Sequence, residues 1–390
     1  MTDEVGGLGG ERAPLAPPAR PSAAAEEAMQ SANIRVLVVD DSAFMRTMLK
    51  GALGQTAGIE VIATACDGAD ALKKAFELRP DVMTLDVEMP GLNGLAVLDE
   101  VMRRQPTPIV MVSTKTQQGA AITLDALRRG AVAYVAKPLG GATLEDFRHD
   151  VVAAVLSAAA SNRKLLKPSS APVASGRRAA VAPLPGLAGV PLDSIVAIGI
   201  SAGGPQTLHR LLPKLPARFP PVLITLHMTA GFTQPFARRL NEECALTVQE
   251  ARAGDDIRPG VVYIAPGGQH MTVEPTAGGL RIGLNSGDKI SGFRPSVDAL
   301  FNSLAVACPQ KTVAIVMTGM GFDGAAGLKE LKRLGARTLA QDQHSSIVYG
   351  MPKAAVETGC VDRVVALEDI PAALADMLRR APTKPAAVHP

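Results

Sequence analysis

Cysteine is scarce in this chain, and Cys66, Cys244, Cys308 and Cys360 lie far apart with no C-x-x-C spacing. That argues against a disulfide framework or a zinc site, and reduced thiols in a cytoplasmic protein are the expectation. An excess of one charge is also missing, since 40 Lys and Arg against 37 Asp and Glu leave a formal +3. Bulk electrostatics therefore give no reason to expect nucleic-acid or membrane binding. No run of about 18 apolar residues occurs, so no membrane insertion is expected. The start, MTDEVGGLGGERAPLAPPARPSAAAEEAMQ, is acidic and proline-rich without an apolar core, and does not read as a signal peptide.

Apolar residues are plentiful, at 47% of the 390 positions, enough to build two or three packed cores. Residues 1–32 lack periodicity and read as a disordered arm. A second such stretch, KPSSAPVASGRRAAVAPLPGLAGVP, lies between two strongly patterned regions and reads as a linker. The expected organisation is an arm at 1–32, a domain at 33–160, a linker at 161–192, a domain at 193–382 and a tail at 383–390.

The first domain alternates short β-branched runs with helical patterns: RVLVV, AFMRTMLKGAL, EVIATA, ADALKKAFEL, DVMTLD, LAVLDEVMRR, PIVMVS, AITLDALRRG, AYVAK and LEDFRHDVVAAVLSA. Such repeats imply a parallel sheet covered on both faces, a doubly wound α/β domain. The second domain repeats the habit with IVAIGI, VLITLH, VVYIAP, AIVMTG and TLAQD, and GLRIGLNSG is expected to add antiparallel edge strands. Ligands in such sheets gather at the carboxyl ends of the strands.

In the first domain Asp40 and Asp41 follow RVLVV and Asp86 ends DVMTLD, so three carboxylates converge on one sheet edge. Unpaired charges ~4 Å apart repel by about 4 kcal/mol per pair at an effective dielectric of about 20, so the cluster calls for a cation. Oxygen-only ligands suit Mg²⁺. Ser113 and Lys137 end two further strands and supply a hydroxyl and a fixed cation beside it. These are the parts needed to accept a phosphoryl group on an aspartate. Any one acid could instead cap a helix, but five residues in order at four strand ends disfavour that.

The stretches VLVVDDSAFMR, DVMTLDVEMPGLNG, PIVMVST and AYVAKP resemble the flavodoxin-like receiver domain of two-component response regulators. The resemblance implies that Asp86 accepts the phosphoryl group, that Asp40 and Asp41 hold Mg²⁺ with it, and that Ser113 and Lys137 are the switch hydroxyl and phosphate-binding lysine. It also makes Tyr134, where an aromatic commonly reorients, a candidate relay.

In the second domain GISAGGPQ holds a hydroxyl, Ser201, on a glycine-rich turn between a strand and a helix. A serine needs a positioned base, and the base needs a carboxylate to fix its tautomer. His227 ends VLITLH on the expected edge, whereas His209 lies within the following helix and points away. Asp323, in the glycine-rich turn after AIVMTG, is the acid best placed, with Asp342 as rival. Backbone N–H groups near Met320 could face an oxyanion. Ser201 could instead cap a helix, His227 could be a satisfied buried histidine, Asp323 a turn residue, and the glycines a phosphate cradle. The cradle is weakened because GISAGG lacks both G-x-G-x-x-G and a P-loop lysine. Although the pentad fits G-x-S-x-G, the order Ser201, His227, Asp323 departs from the usual α/β-hydrolase order.

The stretches IGISAGGPQTL, LHMTAGFTQPFARRL, VYIAPGGQHM, FRPSVDALF, IVMTGMGFDGAAGL and AQDQHSSIVYGMPKAA resemble the catalytic domain of the chemotaxis protein-glutamate methylesterase (CheB) family. This implies a parallel-sheet α/β methylesterase domain with Ser201 as nucleophile, His227 as base, Asp323 as its orienter and Met320 as oxyanion donor. It implies no cofactor for the esterase reaction, methyl-accepting chemoreceptors as substrates, a chemotaxis histidine kinase as phosphodonor, and glutamine deamidation as a second activity. Departures from the pattern are Ala202, Thr229 in place of a usual proline, and bulky Phe322 beside the acid. The glycines around Ser201 are expected to let a receptor helix approach its hydroxyl. A receptor-binding scaffold without turnover and a small-ester hydrolase are the rival readings.

Overall fold

Every residue of the strands Val82–Asp86 and Ile109–Ser113 is buried, as fits strands packed on both faces. These are β3 and β4 of a parallel sheet that also contains β1 (Ile34–Val39), β2 (Ile59–Ala65) and β5 (Ala133–Ala136) in the order β2-β1-β3-β4-β5. Five helices cover it: α1 (Ala43–Gly54), α2 (Gly68–Leu78), α3 (Gly94–Arg104), α4 (Gln117–Arg128) and α5 (Leu144–Ala159). Each starts at a short polar residue, Ser42, Asp67, Asn93, Thr116 or Thr143, whose side chain accepts a hydrogen bond from the third helical N–H. The computed structural model describes residues 33–114, 116–138, 143–166 and 190–380. The expected arm, the tail and most of the expected linker fall outside them.

The second sheet has seven parallel strands. They are β6 (Ile195–Ile200), β7 (Val222–Leu226), β8 (Thr247–Glu250), β9 (Val261–Ile264), β12 (Thr312–Val316), β13 (Arg337–Gln341) and β14 (Arg363–Val365), in the order β14-β13-β12-β6-β7-β9-β8. Between β9 and β12 lie β10 (His270–Thr276) and β11 (Gly279–Asn285). The helices are α6 (Gly204–Leu211), α7 (Thr233–Glu243), α8 (Val297–Ala307), α9 (Ala325–Arg333), α10 (Met351–Glu357) and α11 (Ile370–Arg379). The stretch GLRIGLNSG is antiparallel, but pairs with β10 as a separate two-stranded sheet and not on the edge of the large one. Its apolar residues explain this: Met271, Val273 and Ile282 pack in the cluster that contains Phe301 and Leu304 of α8. Val273 N–H also donates to Ser303 Oγ at 2.9 Å.

Strand order reverses beside β1 in the first sheet and beside β6 in the second. Crevices open at the carboxyl ends of strands where order reverses, so Asp40 and Asp86 flank one crevice while Ser201 and the turn after β12 flank the other. The described residues from Ile34 onward belong to one compact unit. Val196, Ile198 and Ile200 on one face of the second sheet join an apolar cluster that continues into the core of the first.

The glycines of the Ser201 turn face inward and not toward a substrate. Gly203 has φ +73°, and a Cβ there would meet Ile347 Cβ at 2.6 Å. A Cβ on Gly199 would meet Val297 Cγ1 at 2.3 Å, so the bare backbone lets α8 lie against β6. Gly203→Ala is expected to cost about 1–3 kcal/mol through overpacking and a disfavoured φ. Gly51→Ala, inside α1 where an added methyl meets nothing within 4 Å, should stabilise by about 0.5–1 kcal/mol. Urea-unfolding midpoints of the two variants check the contrast.

Candidate active site

Backbone hydrogen bonds between strand ends set the candidate catalytic side chains. Ser201 N–H donates to Thr318 O at 2.9 Å, tying the turn after β6 to the turn after β12. His227 N–H donates to Ile200 O at 3.1 Å, tying the end of β7 to β6. The cap of α6 is Gly203, with no side-chain cap bond, so Ser201 does not serve as the N-cap. Ser201 lines a cavity of about 470 Å³ together with His227 and Met320.

His227 Nε2 lies 2.7 Å from Asp323 Oδ2. Because the carboxylate accepts, Nε2 carries the proton and Nδ1 carries the basic lone pair. Nδ1 is buried with no hydrogen-bond partner among the described residues. The ring stacks on Phe293, with centroids 3.8 Å apart and planes at 9°. No hydrogen bond joins Ser201 Oγ to His227 among the described residues in this state. The Met320 N–H likewise has no acceptor among them.

Asp323 is fully buried and receives three further hydrogen bonds at the N-terminus of α8. Oδ2 accepts from Val297 N–H at 2.7 Å, and Oδ1 accepts from Ser296 Oγ at 2.8 Å and Asp298 N–H at 3.1 Å. A helix N-terminus favours an anion. Burial pushes the acid's pKa up, but the His227 hydrogen bond and charge, with the two backbone N–H groups, hold it below the usual carboxylate range. The bulky Phe322 does not crowd this turn: its side chain is 64% exposed, and its carbonyl accepts from Ala325 N–H.

The rivals for these roles are engaged elsewhere. Asp342 accepts from Ser345 Oγ at 2.6 Å and Ser345 N–H at 3.0 Å. His209 pairs with Glu243 at 2.7 Å. Ser296 bonds Asp323 and Phe293 stacks on His227, contacts to which the motif FRPSVD by itself does not point. The available signal was a serine directly before a helix with Asp in its first turn.

The acidic crevice of the first sheet is assembled as well. Asp40, Asp41 and Asp86 present oxygens that all lie within 4.8 Å of one another. Lys137 Nζ lies 3.0 Å from Asp40 and 2.8 Å from Asp86. Burial, with the Asp40 charge adding to it against the Lys137 hydrogen bond, pushes Asp86 up to about 6. Burial would lower the Lys137 pKa, but its bonds to the two carboxylates raise it. The Ser113 hydroxyl is turned to the carbonyls of Thr114 and Gly119, at 3.3 and 3.4 Å, and does not bond Asp86.

Both domains of this one unit line the esterase cavity, Val132, Tyr134, Asp150 and Ala153 from the first with Ser201, His227 and Phe293 from the second. Tyr134 Oη accepts from Thr229 N–H at 3.0 Å and lies 2.9 Å from Thr229 Oγ1. Its ring sits 4.4 Å from that of Phe232. Gly203 N–H donates to Val132 O at 3.2 Å, and Gln206 Nε2 to Ala131 O at 2.7 Å.

Asp298 returns the favour that Asp323 does for α8, since its Oδ1 accepts from Gly327 N–H of α9 at 2.7 Å. Burial, eased by that bond and reinforced by the Asp323 charge, pushes Asp298 up to about 6. A carboxyl raised on folding contributes stability below its unfolded pKa, which is lost as pH rises through about 6. Asp298→Asn keeps the acceptor without the charge. Its melting temperature relative to wild type should therefore rise between about pH 4 and about pH 7, as thermal unfolding at several pH values will show.

Comparison with known proteins accounts for both sites together. A family model described as CheB methylesterase matches residues 196–374, and one described as response regulator receiver domain matches residues 36–147. The protein-glutamate methylesterase/protein-glutamine glutaminase of Symbiobacterium thermophilum is 44% identical over 362 residues, covering 89% of this chain and 97% of its own length. A protein of the same description from Caulobacter vibrioides is 45% identical over 350 residues, covering 89% and 98%. The solved CheB methylesterase catalytic domain of Thermotoga maritima is 40% identical, covers 47% of this chain and 97% of its own length, and has a TM-score of 0.46. The chain thus belongs to the CheB methylesterase family, as a member that carries its own response-regulator receiver domain.

Proposed function

We propose that Ser201, His227 and Asp323 hydrolyse the γ-methyl ester of glutamate, and the γ-amide of glutamine, on chemoreceptors through an acyl-enzyme. The chain is a protein-glutamate methylesterase and protein-glutamine glutaminase regulated through its receiver domain. One observation carries the assignment of residues: the Asp323-bound imidazole leaves Nδ1 without a hydrogen-bond partner among the described residues, and His227 and Ser201 line the same cavity.

In this reading Ser201 Oγ attacks the ester carbonyl while His227 Nδ1 takes its proton. The imidazolium is stabilised by the ionised Asp323, and the oxyanion faces the Met320 N–H. The carbon–oxygen bond to the leaving group then breaks, and His227 returns the proton so that methanol departs. Water, deprotonated by the same nitrogen, attacks the acyl carbon, the bond to Ser201 Oγ breaks as His227 returns the proton to it, and the carboxylate is restored. With glutamine the leaving group is ammonia.

Regulation belongs to the cluster on the first sheet. A hard, oxygen-only donor set of three carboxylates, one of them raised by burial and by the neighbouring Asp40 charge, fits Mg²⁺, which Asp40, Asp41 and Asp86 would hold. When bound, the ion supplies charge neutralisation for phosphoryl transfer to Asp86 from a chemotaxis histidine kinase. Lys137 would pair with the phosphoryl oxygens and Ser113 would turn toward them from its present carbonyl partners. Tyr134 then leaves Thr229, and the receiver withdraws from Ser201. This chemistry, together with four free cysteines, fits a cytoplasmic location. Among the described residues no helix is long and apolar enough to cross a membrane.

Methanol release from radiolabelled methylated receptors tests the reading. Wild type with a small phosphodonor should release methanol and Ser201→Ala should not. Asp86→Ala should show the basal rate alone, with no response to the phosphodonor. Absence of release from wild type would favour a scaffold, and hydrolysis of small esters alone would favour the second rival. Tyr134→Phe removes the hydrogen bonds that Thr229 shares with it, about 1–2 kcal/mol of the closed state. The unphosphorylated rate should rise about 5- to 30-fold in that variant, measured in the same assay.

A further inference from the structure

We propose that His270 is a positioning residue for the esterase reaction, acting through the segment Asp288–Ser296 and not through substrate. This deepens the reading in which Ser201, His227 and Asp323 are the catalytic groups. His270 opens β10 and is 2% exposed. Its Nε2 lies 2.9 Å from the Asp288 carbonyl, so Nε2–H donates. Its Nδ1 accepts from Ser296 N–H at 3.2 Å. The two partners leave one neutral tautomer compatible with both bonds.

The two bonds staple the ends of the segment whose side chains hold the catalytic pair. Phe293, inside it, stacks on His227. Ser296, at its end, bonds Asp323 Oδ1. A second tie runs from Gly268 N–H to Arg294 O at 3.2 Å, and Arg294 Nη1 donates to the carbonyls of Ser286 and Gly287. His270 bonds both end residues of the segment, Asp288 and Ser296, while Arg294 ties the segment to the two residues before it. A polar chain therefore runs from Asp288 O at the surface through the buried His270, Ser296 and Asp323 to His227. Asp323 stays ionised and aimed at Nε2 while Ser296 is held, and Ser296 is held while Nδ1 accepts.

The test uses the full-length chain, activated with acetyl phosphate, on methylated receptors. His270→Ala removes both bonds, His270→Asn offers an acceptor near the Nδ1 position, and His270→Gln offers a donor near the Nε2 position. Misplacing a catalytic group by about 1 Å costs about 10²-fold, so His270→Ala should lose about 10- to 100-fold in kcat with a much smaller change in KM. His270→Asn should recover more of kcat than His270→Gln, because the Nδ1 bond leads to Asp323. The acid limb of the kcat/KM profile should move to lower pH in His270→Ala, as a less firmly held carboxylate stabilises the imidazolium less. If His270→Ala does not fold, the order of Asn above Gln decides. Wild-type kcat with an unmoved limb in the folded variants overturns the proposal, as does a loss matched only by loss of folded protein. Activity retained by Ser201→Ala would instead overturn the catalytic reading beneath it.

Discussion

The ionised carboxylate of Asp323 is the constraint to which the catalytic half of the molecule answers. A buried carboxylate is stable only when its oxygens are well bonded, and here an imidazole, a hydroxyl and two amides of one helix end share the task. Meeting that demand sets where α8 begins, how closely it lies on β6, and why Gly199 can carry no side chain. It also fixes which nitrogen of His227 is basic. The chemistry follows from the way the carboxylate is kept charged.

The receiver domain meets this arrangement at its mouth. Apolar packing continuous with the receiver core makes the contact extensive, while a few polar bonds at Tyr134, Val132 and Ala131 give it register. In the regulation proposed above, a phosphoryl group on Asp86 acts from the end of a strand of the first sheet. It changes activity only by favouring a state in which those contacts are exchanged for others. The Thr229 N–H that grips Tyr134 exists because that position is not proline. Local chemistry at a single loop position thus weights the closed state of this chain.

Much of this was readable from strand ends. Alternating apolar runs and helical patterns predict two parallel sheets, and the polar side chains at the ends of such runs include Asp40, Asp86, Ser201 and His227. What stayed hidden was relational. Nothing local in FRPSVD says that Ser296 and the amides behind it will meet an acid about twenty-five residues later, because that meeting depends on α8 crossing β6. Equally, GLRIGLNSG carried an antiparallel pattern, but only the apolar surface of α8 decided that it would lie across that helix and not on a sheet edge. The glycines of the Ser201 turn looked like access for substrate and prove to be clearance for Ile347 and Val297.

The exchange of carboxylates between α8 and α9 has a consequence for how the molecule is made. Asp298 belongs to the helix that Asp323 steadies, and Asp323 precedes the helix that Asp298 steadies. Neither helix end is satisfied until the other has arrived. A nascent chain that has emerged only as far as residue 310 carries Ser201 and His227 but leaves the start of α8 without its anion. Ser201 and His227 are therefore synthesised before the segment that brings Asp323, and the triad proposed above assembles only in the cooperative event that completes the domain.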